Sequence, residues 1–255
     1  MNYIIAIPSY KRANILNQRT LAFLKRHNIP NHNIEIHVES QEMKDEYHSI
    51  IGNEYTILVS NAKGIGATRN YLRYHYKYET KHNNVLYIDD DIENIMDYDQ
   101  PLEDLNGFVK KAFAITKSSK LNVWGISPFH NTFYLKDSVT TTLKYIAGCF
   151  CGEIIDRKKH DIYTDVDHGE DFLFTMEHFL RDNGVVRFNK IAIITKYFEQ
   201  VGGICESVGG LAERKKTMEH NCKYLAERYP QMCRLIEKKY GFDIRLNHHY
   251  KNKDQ

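Results

Sequence analysis

Val85-Leu86-Tyr87-Ile88 is an unbroken apolar run that passes directly into Asp89-Asp90-Asp91 and then Ile92. An apolar run of this length reads as a strand buried on both faces. Adjacent anions repel and raise one another's pKa, so the chain gains no stability by placing three of them there. A divalent cation changes that balance. Side chains alternate along a strand, so Asp89 and Asp91 are expected to approach one ion while Asp90 points elsewhere. Mg²⁺ or Mn²⁺ suits the pattern, because these ions take one or two carboxylates, several waters and phosphate oxygens. A solvated turn is the alternative for an acidic triplet. The strand immediately ahead weighs against it, since ligands in open α/β sheets sit at carboxyl ends of strands.

The segments before the triplet extend the pattern. Tyr3 to Ile7 is a short strand ended by Pro8-Ser9-Tyr10-Lys11-Arg12, with a helix expected from about Asn14 to Asn28. Ile34 to Val38 is a second strand closing on Glu39-Ser40, followed by a helix over Met43 to Ile51. Tyr55 to Val59 is a third strand, and Ala67 to Tyr78 a helix. Strands alternating with helices predict parallel pairing and one crevice along the strands' carboxyl ends. Beyond the triplet the spacing predicts helices over Leu102 to Lys117 and Glu170 to Asn183, the latter capped by Gly184. Short strands are expected at Asn122 to Ser127, Thr132 to Leu135, within Thr141 to Ile155, and near 185–188 and 191–195. After Gly202 to Gly210, two basic helices are expected over Leu211 to Arg228 and Gln231 to Tyr240. No repeat or low-complexity linker interrupts the 255 residues, which read as one domain.

Composition excludes little. Thirty-five Lys and Arg stand against 33 Asp and Glu, so only local patches decide binding to a polyanion. The five cysteines form no CxxC pair and read as reduced thiols of an intracellular, cytoplasmic protein. No apolar run is long enough for a membrane span, and no basic region precedes the first strand as in a signal peptide.

Several candidate residues lie near the expected crevice. After strand one, Tyr10 can stack on a base and Arg12 can pair with phosphate, or the segment is an ordinary turn. Glu39 can accept hydrogen bonds from a base or ribose. Lys63-Gly64-Ile65-Gly66-Ala67-Thr68-Arg69-Asn70 opens a helix whose N-terminus favours anions, without the glycine spacing of a dinucleotide site or P-loop. Asp165-Val166-Asp167-His168-Gly169-Glu170-Asp171 packs four more acids and a histidine into seven residues. Helix capping explains some of these acids but not all of them. A carboxylate at such a helix start can serve as a base once nearby phosphates lift its pKa.

Ile7 to Arg12, Gly64 to Asn70, Asp89-Asp90-Asp91 and Glu170-Asp171 together resemble the ordered motifs of GT-A nucleotide-sugar glycosyltransferases. More narrowly they resemble the base J glucosyltransferase-like, TET/JBP-associated DNA glycosyltransferases of phages. The resemblance covers roughly residues 3 to 210. It implies a Rossmann-like mixed sheet flanked by helices, with a nucleotide-sugar half over 1–98, an acceptor and catalytic half over 99–210, and a basic helical segment over 211–255. It also implies that Pro8, Tyr10, Arg12, Glu39, Lys63, Gly64, Arg69, Asp89 and Asp90 hold the nucleotide sugar, with UDP-glucose favoured. Asp89 and Asp91 would serve the metal. Asp171, beside Glu170, would be the base of an inverting transfer to a 5-hydroxymethylpyrimidine in DNA. Glu170 points about a hundred degrees away around the helix, so the two are not expected to address one hydroxyl.

Arg214, Lys215 and Lys216, with Lys223 and Arg228 beyond them, form a candidate DNA-facing surface or a solvated helix face. Phe129, Phe133 and Tyr134 are candidates to stack on an extruded base. Two other functions compete: transfer to a saccharide or lipid-linked acceptor, and a non-catalytic nucleotide-sugar or DNA-binding module. Retention of both acid clusters weighs against the silent module, since a binder needs no base.

Overall fold

Ile4–Pro8 (β1) shows why the apolar runs are continuous. Ile4 and Ala6 enter one buried layer while Ile5 and Ile7 enter the other, on the opposite face of the sheet. The structure is a computed structural model that describes residues 2–195, 211–238 and 241–252. After β1, Ala13–Leu16, a π-helical Asn17–Leu21 and Ala22–Arg26 run on as one helix, α1. Then come β2 (Ile34–Val38), α2 (Gln41–Ile51), β3 (Thr56–Val59), α3 (Ile65–Tyr74, continued by a π-helical His75–Glu79) and β4 (Asn84–Ile88). β3, β2, β1 and β4 lie side by side and all parallel, as the alternation predicts.

The second half continues the same sheet with mixed directions. It contains β5 (Ile92–Asp97), β6 (Gln100–Pro101), α4 (Leu105–Ser118), β7 (Val123–Ser127), β8 (Val139–Thr140), β9 (Phe150–Ile154), α5 (Glu170–Asp182) and β10 (Val186–Thr195). The full order is β3-β2-β1-β4-β9-β7-β10-β5-β6, with β8 pairing β10. β9 is antiparallel to both β4 and β7, so β4 and β7 point the same way, as does β10, parallel to β7. Their carboxyl ends therefore share the edge where β1 to β4 end. Trp124 of β7 is fully buried among Phe108, Phe113, Phe150 and Phe188, at ring separations of 5.4 to 6.0 Å.

Several expectations are corrected. Thr132 to Leu135 is a turn, and only Phe150–Ile154 of the 141–155 stretch is a strand. The strands expected near 185–188 and 191–195 are one, β10, with a register shift against β7 between Phe188 and Ala192. Asn183, not Gly184, takes the left-handed conformation after α5, at φ 58°. The C-terminal segment is not wholly helical. Leu211–Arg228 is a helix (α6), but Cys233–Lys238 (β11) and Gly241–Leu246 (β12) pair antiparallel in register as a hairpin. Leu, Glu and Lys favour a helix locally there, and cross-strand pairing overrides that preference. The glycine loop over 202–210 lies outside the described residues, as does Cys205; Cys149, Cys151, Cys222 and Cys233 are free thiols.

Candidate active site

The aspartate triplet lies just past the end of β4, in a turn rather than on the strand. Its backbone is fixed from two sides. The Asp89 amide donates to the Cys149 carbonyl at 3.0 Å. Thr20, in the π-helical turn of α1, donates to the Asp89 carbonyl (2.7 Å) and accepts from the Ile92 amide (2.9 Å). Because the strand has ended, alternation no longer governs the side chains, and Asp90 does not point apart from Asp91 as expected: the two share one guanidinium. Asp90 is buried, accepts from Ser9 Oγ at 2.6 Å, and shares the Arg12 guanidinium with Asp91 at 3.3 and 3.4 Å. Ser9 is held in turn by Tyr47 at 2.7 Å, and the Tyr47 hydroxyl accepts from the Arg12 amide at 2.9 Å. Burial pushes the Asp90 carboxyl up to about 7, with Arg12 and Ser9 opposing it. Asp91 also accepts from Thr195 Oγ1 at 3.0 Å, and burial and the Asp89 charge raise its pKa.

Asp89 belongs to a second cation. Arg69 of α3 donates to Asp89 Oδ1 at 2.8 Å and to the Gly148 carbonyl at 3.0 Å, while its Nε and Nη1 find no partner. Burial opposes the Arg69 charge, but Asp89 and Glu170 outweigh it and the pKa is raised. Gly148 lets this guanidinium in, since a Cβ there would sit 3.2 Å from Arg69 Nη2.

The acid cluster ahead of α5 divides into separate tasks. Asp167 accepts from the Gly66 amide at 3.0 Å, so the start of α3 is satisfied by an internal carboxylate, where the sequence suggested a free anion site. Gly64 has φ +85° and approaches Asp167 so closely that a Cβ would lie 2.8 Å from its oxygen. Asp165 binds Tyr224 and Arg228 of α6 at 2.7 and 3.0 Å. Glu170 and Asp171 are left at the crevice.

Both of these carboxylates line one small pocket with Arg69, Gly148 and Cys151, so the hundred degrees between them on the helix does not separate them. Asp171 Oδ2 accepts from the Tyr145 hydroxyl, and Oδ1 accepts from the Phe172 amide at 2.9 Å. Burial raises the Asp171 pKa against the pull of Tyr145 and Arg69. Glu170 goes further, to about 8, through burial and then repulsion by Asp171. One proton shared between two neighbouring carboxyls is the expected state near neutral pH.

Other expected residues are more peripheral. Pro8 ends β1; Tyr10 is half-buried with Lys11 over its ring at 5.4 Å; Glu39 follows β2 half-buried; Lys63 is exposed. Ser9, Thr20, Tyr47, Tyr145 and Thr195 were not singled out from sequence. Nothing distinguishes Tyr145 among eighteen tyrosines, and only the small-residue run Ala147-Gly148 beside it hints at a close approach. On α6, Lys215 is exposed, but Lys216 pairs with Glu213 (2.7 Å), Lys223 with Glu219 (2.6 Å) and Arg228 with Asp165 (3.0 Å). The Arg214 side chain lies outside the described residues. Phe129, Phe133 and Tyr134 are 64%, 83% and 72% exposed on the loop after β7.

Among the described residues no three His, Cys, Asp or Glu converge as a metal cage. Asp89 and Asp91 nevertheless suit a hard divalent cation: they are two carboxylates at the crevice, without His or Cys, each with an Arg on one oxygen. Such an ion would complete its shell with water and a ligand's phosphates.

A mixed sheet flanked by helices, with the acids at the carboxyl ends of its parallel half, is the GT-A-type fold. No family model and no curated protein matches the sequence. Among solved structures, the chain is similar to the mannosyltransferase PcManGT from Pyrobaculum calidifontis in complex with GDP-Man and Mn²⁺. That match has a TM-score of 0.57 and 12% identity, over 88% of this chain and 64% of that one. It is also similar to S. aureus TarS, at a TM-score of 0.51 and 16% identity over 89% of this chain and 40% of that one. A shorter S. aureus TarS chain in complex with UDP-GlcNAc matches at 0.50 and 14%, over 90% and 73%. At these identities the likeness is one of fold.

Proposed function

We propose that the chain is a metal-dependent, inverting glycosyltransferase that uses a nucleotide-sugar donor. The observation that carries this is the convergence of two arginine-carboxylate pairs and a pocketed carboxyl pair at one sheet edge, in a fold shared with proteins solved with UDP-GlcNAc and GDP-Man. Transfer needs positive charge where a diphosphate departs and a base within reach of an acceptor hydroxyl.

In this reading Pro8, Tyr10, Glu39, Lys63 and Gly64 hold the nucleotide, and Arg12 and Arg69 the diphosphate side. Asp90, with Ser9 and Tyr47, fixes Arg12. Asp89 and Asp91 would hold Mn²⁺ or Mg²⁺, which when bound offsets charge on the diphosphate. Arg69 has two buried nitrogens, Nε and Nη1, without partners, so it has N–H groups to offer a departing diphosphate. Asp171 takes the acceptor hydroxyl's proton while Tyr145 keeps its carboxylate oriented. The acceptor oxygen attacks the anomeric carbon from the face opposite the diphosphate, whose bond breaks, so configuration inverts. Glu170, protonated near neutral pH, leaves Asp171 as the ionised partner.

We assign the acceptor as the hydroxyl of a 5-hydroxymethylpyrimidine in DNA and the donor as UDP-glucose. Support comes from the sequence resemblance and from the exposed aromatics Phe129, Phe133 and Tyr134, suited to stacking on bases. The test is incubation with a panel of nucleotide sugars and with hydroxymethylated or plain DNA, followed by digestion and mass spectrometry of the nucleosides. A hexose added only to hydroxymethylated nucleosides is the expected result. Sugar transfer to saccharides but to neither DNA would move the acceptor to another class.

A further inference from the structure

Arg187 differs from Arg69, the other buried arginine among the described residues, which is paired with Asp89. It stands on β10, 8% exposed, yet forms no ion pair among the described residues. Its Nη1 donates to the Tyr145 carbonyl, and its Nε has no partner. Burying a guanidinium without an anion is costly, and buried charges are normally paired. Two lysines, Lys144 and Lys136, are close enough to Arg187 or to each other for their charges to interact. Lys144 and the backbone of Lys136 both bind Asn189, through Oδ1 at 2.9 Å and the carbonyl at 3.3 Å. Burial and then the charges of Arg187 and Lys136 depress the Lys144 pKa, while burial draws that of Arg187 down to about 10, leaving it charged at neutral pH. Among the described residues Lys144 likewise makes no ion pair, and its one side-chain hydrogen bond goes to a neutral amide.

The position of this cluster gives it meaning. On one side Arg187 touches Tyr145, whose hydroxyl binds Asp171. On the other, Lys136 continues the loop that carries Phe133 and Tyr134, two exposed rings 5.0 Å apart at 88°. A cationic seat between stacking rings and a carboxylate base is the pattern of a site that tracks a nucleotide backbone. Arg12 and Arg69, by contrast, are paired with the triplet's carboxylates.

We propose that Arg187, Lys144 and Lys136 form a phosphate-binding subsite that seats a phosphate of the acceptor beside the Asp171 pocket. The proposal rests on the glycosyltransferase reading for the word acceptor, but the phosphate site is measurable without turnover. Full-length protein and its Lys144→Gln and Arg187→Gln variants are titrated with inorganic phosphate, a hexose phosphate and a short single-stranded deoxyoligonucleotide, across a salt series. Nucleotide-sugar affinity is measured in parallel. Each substitution is expected to weaken phosphate-probe binding about tenfold and to flatten the oligonucleotide's salt slope by about one ion, as loss of one phosphate contact implies. Donor affinity stays unchanged. Losses confined to the oligonucleotide identify a strand phosphate, and losses shared by the hexose phosphate identify a small phosphorylated acceptor; either supports the subsite. Should Arg187→Gln fail to fold, the half-buried Lys144→Gln decides alone. Equal affinity of wild type and Lys144→Gln for every phosphate probe, or no phosphate binding by wild type, overturns the proposal. Wild type that binds the oligonucleotide but no nucleotide sugar would sink the glycosyltransferase reading and leave the phosphate site standing.

Discussion

Asp171 is where the account is most exposed at the residue scale. Asp171→Asn keeps the Tyr145 contact and the helix start, so fold and donor affinity should persist while kcat drops by roughly 10²-fold or more, as loss of a general base implies. Because burial raises the Asp171 pKa, the acid limb of the wild-type rate profile should lie above the ordinary carboxylate range. Glu170→Gln with normal turnover and Asp171→Asn without it would fix the assignment; the reverse would exchange the roles. Glu170 also makes a stability prediction. Its folded pKa, about 8, is above the unfolded value, so the folded state binds more protons and stability falls as pH rises between the two. Thermal melts should therefore show Glu170→Gln gaining on wild type as pH climbs from about 4 to about 8. A constant offset across pH would contradict it. Of these residues the carboxylates were legible in sequence because chains rarely cluster acids without use. Tyr145, Ser9 and Thr195 were not, because a single hydroxyl acquires its role only from what the fold brings beside it.

The elements of the first half were legible because β1 and β4 fill two buried layers, β2 alternates into one, and each turn carries its own stop signal. Beyond Ile92 that correspondence fails. Direction alternates around β9, so neighbours in sequence stop being neighbours in the sheet, and the loop from 128 to 149 takes its shape from β10 and α5. The hairpin β11–β12 was hidden by residues whose local preference is helical. Gly152 shows how tightly the antiparallel joint is made: a Cβ there would stand 2.1 Å from Trp124 Nε1 and 2.3 Å from Cε2. Gly152→Ala should destabilise by about 1–3 kcal/mol or more, as overpacking of a closed core does. Denaturant unfolding with an unchanged midpoint would show that the Trp124 ring has room to move.

At the scale of the whole molecule, the two halves supply different charges to one edge. The parallel half brings the triplet with Arg12 and Arg69; the mixed half brings Asp171, Tyr145 and Arg187. The near-neutral net charge of +2 concealed this division. So did the run of Lys and Arg on α6, much of which is spent on carboxylates of its own helix or of the 165–177 segment. No helix among the described residues is long and apolar enough to cross a membrane. The edge should need its cation: EDTA is expected to abolish transfer, Mn²⁺ or Mg²⁺ to restore it, and Asp91→Asn to lose activity while keeping its melting transition. Full activity of Asp91→Asn in chelated buffer would remove the metal from the account.

The most direct measurement is the anomeric configuration of the transferred sugar, read by the anomeric proton coupling in NMR of the isolated product made from an α-linked nucleotide sugar. A β-linked product, formed by wild type and absent with Asp171→Asn, is the expected result, since attack opposite the diphosphate inverts the carbon. An α-linked product would contradict the inverting mechanism and reduce Asp171 to a residue that orients the acceptor.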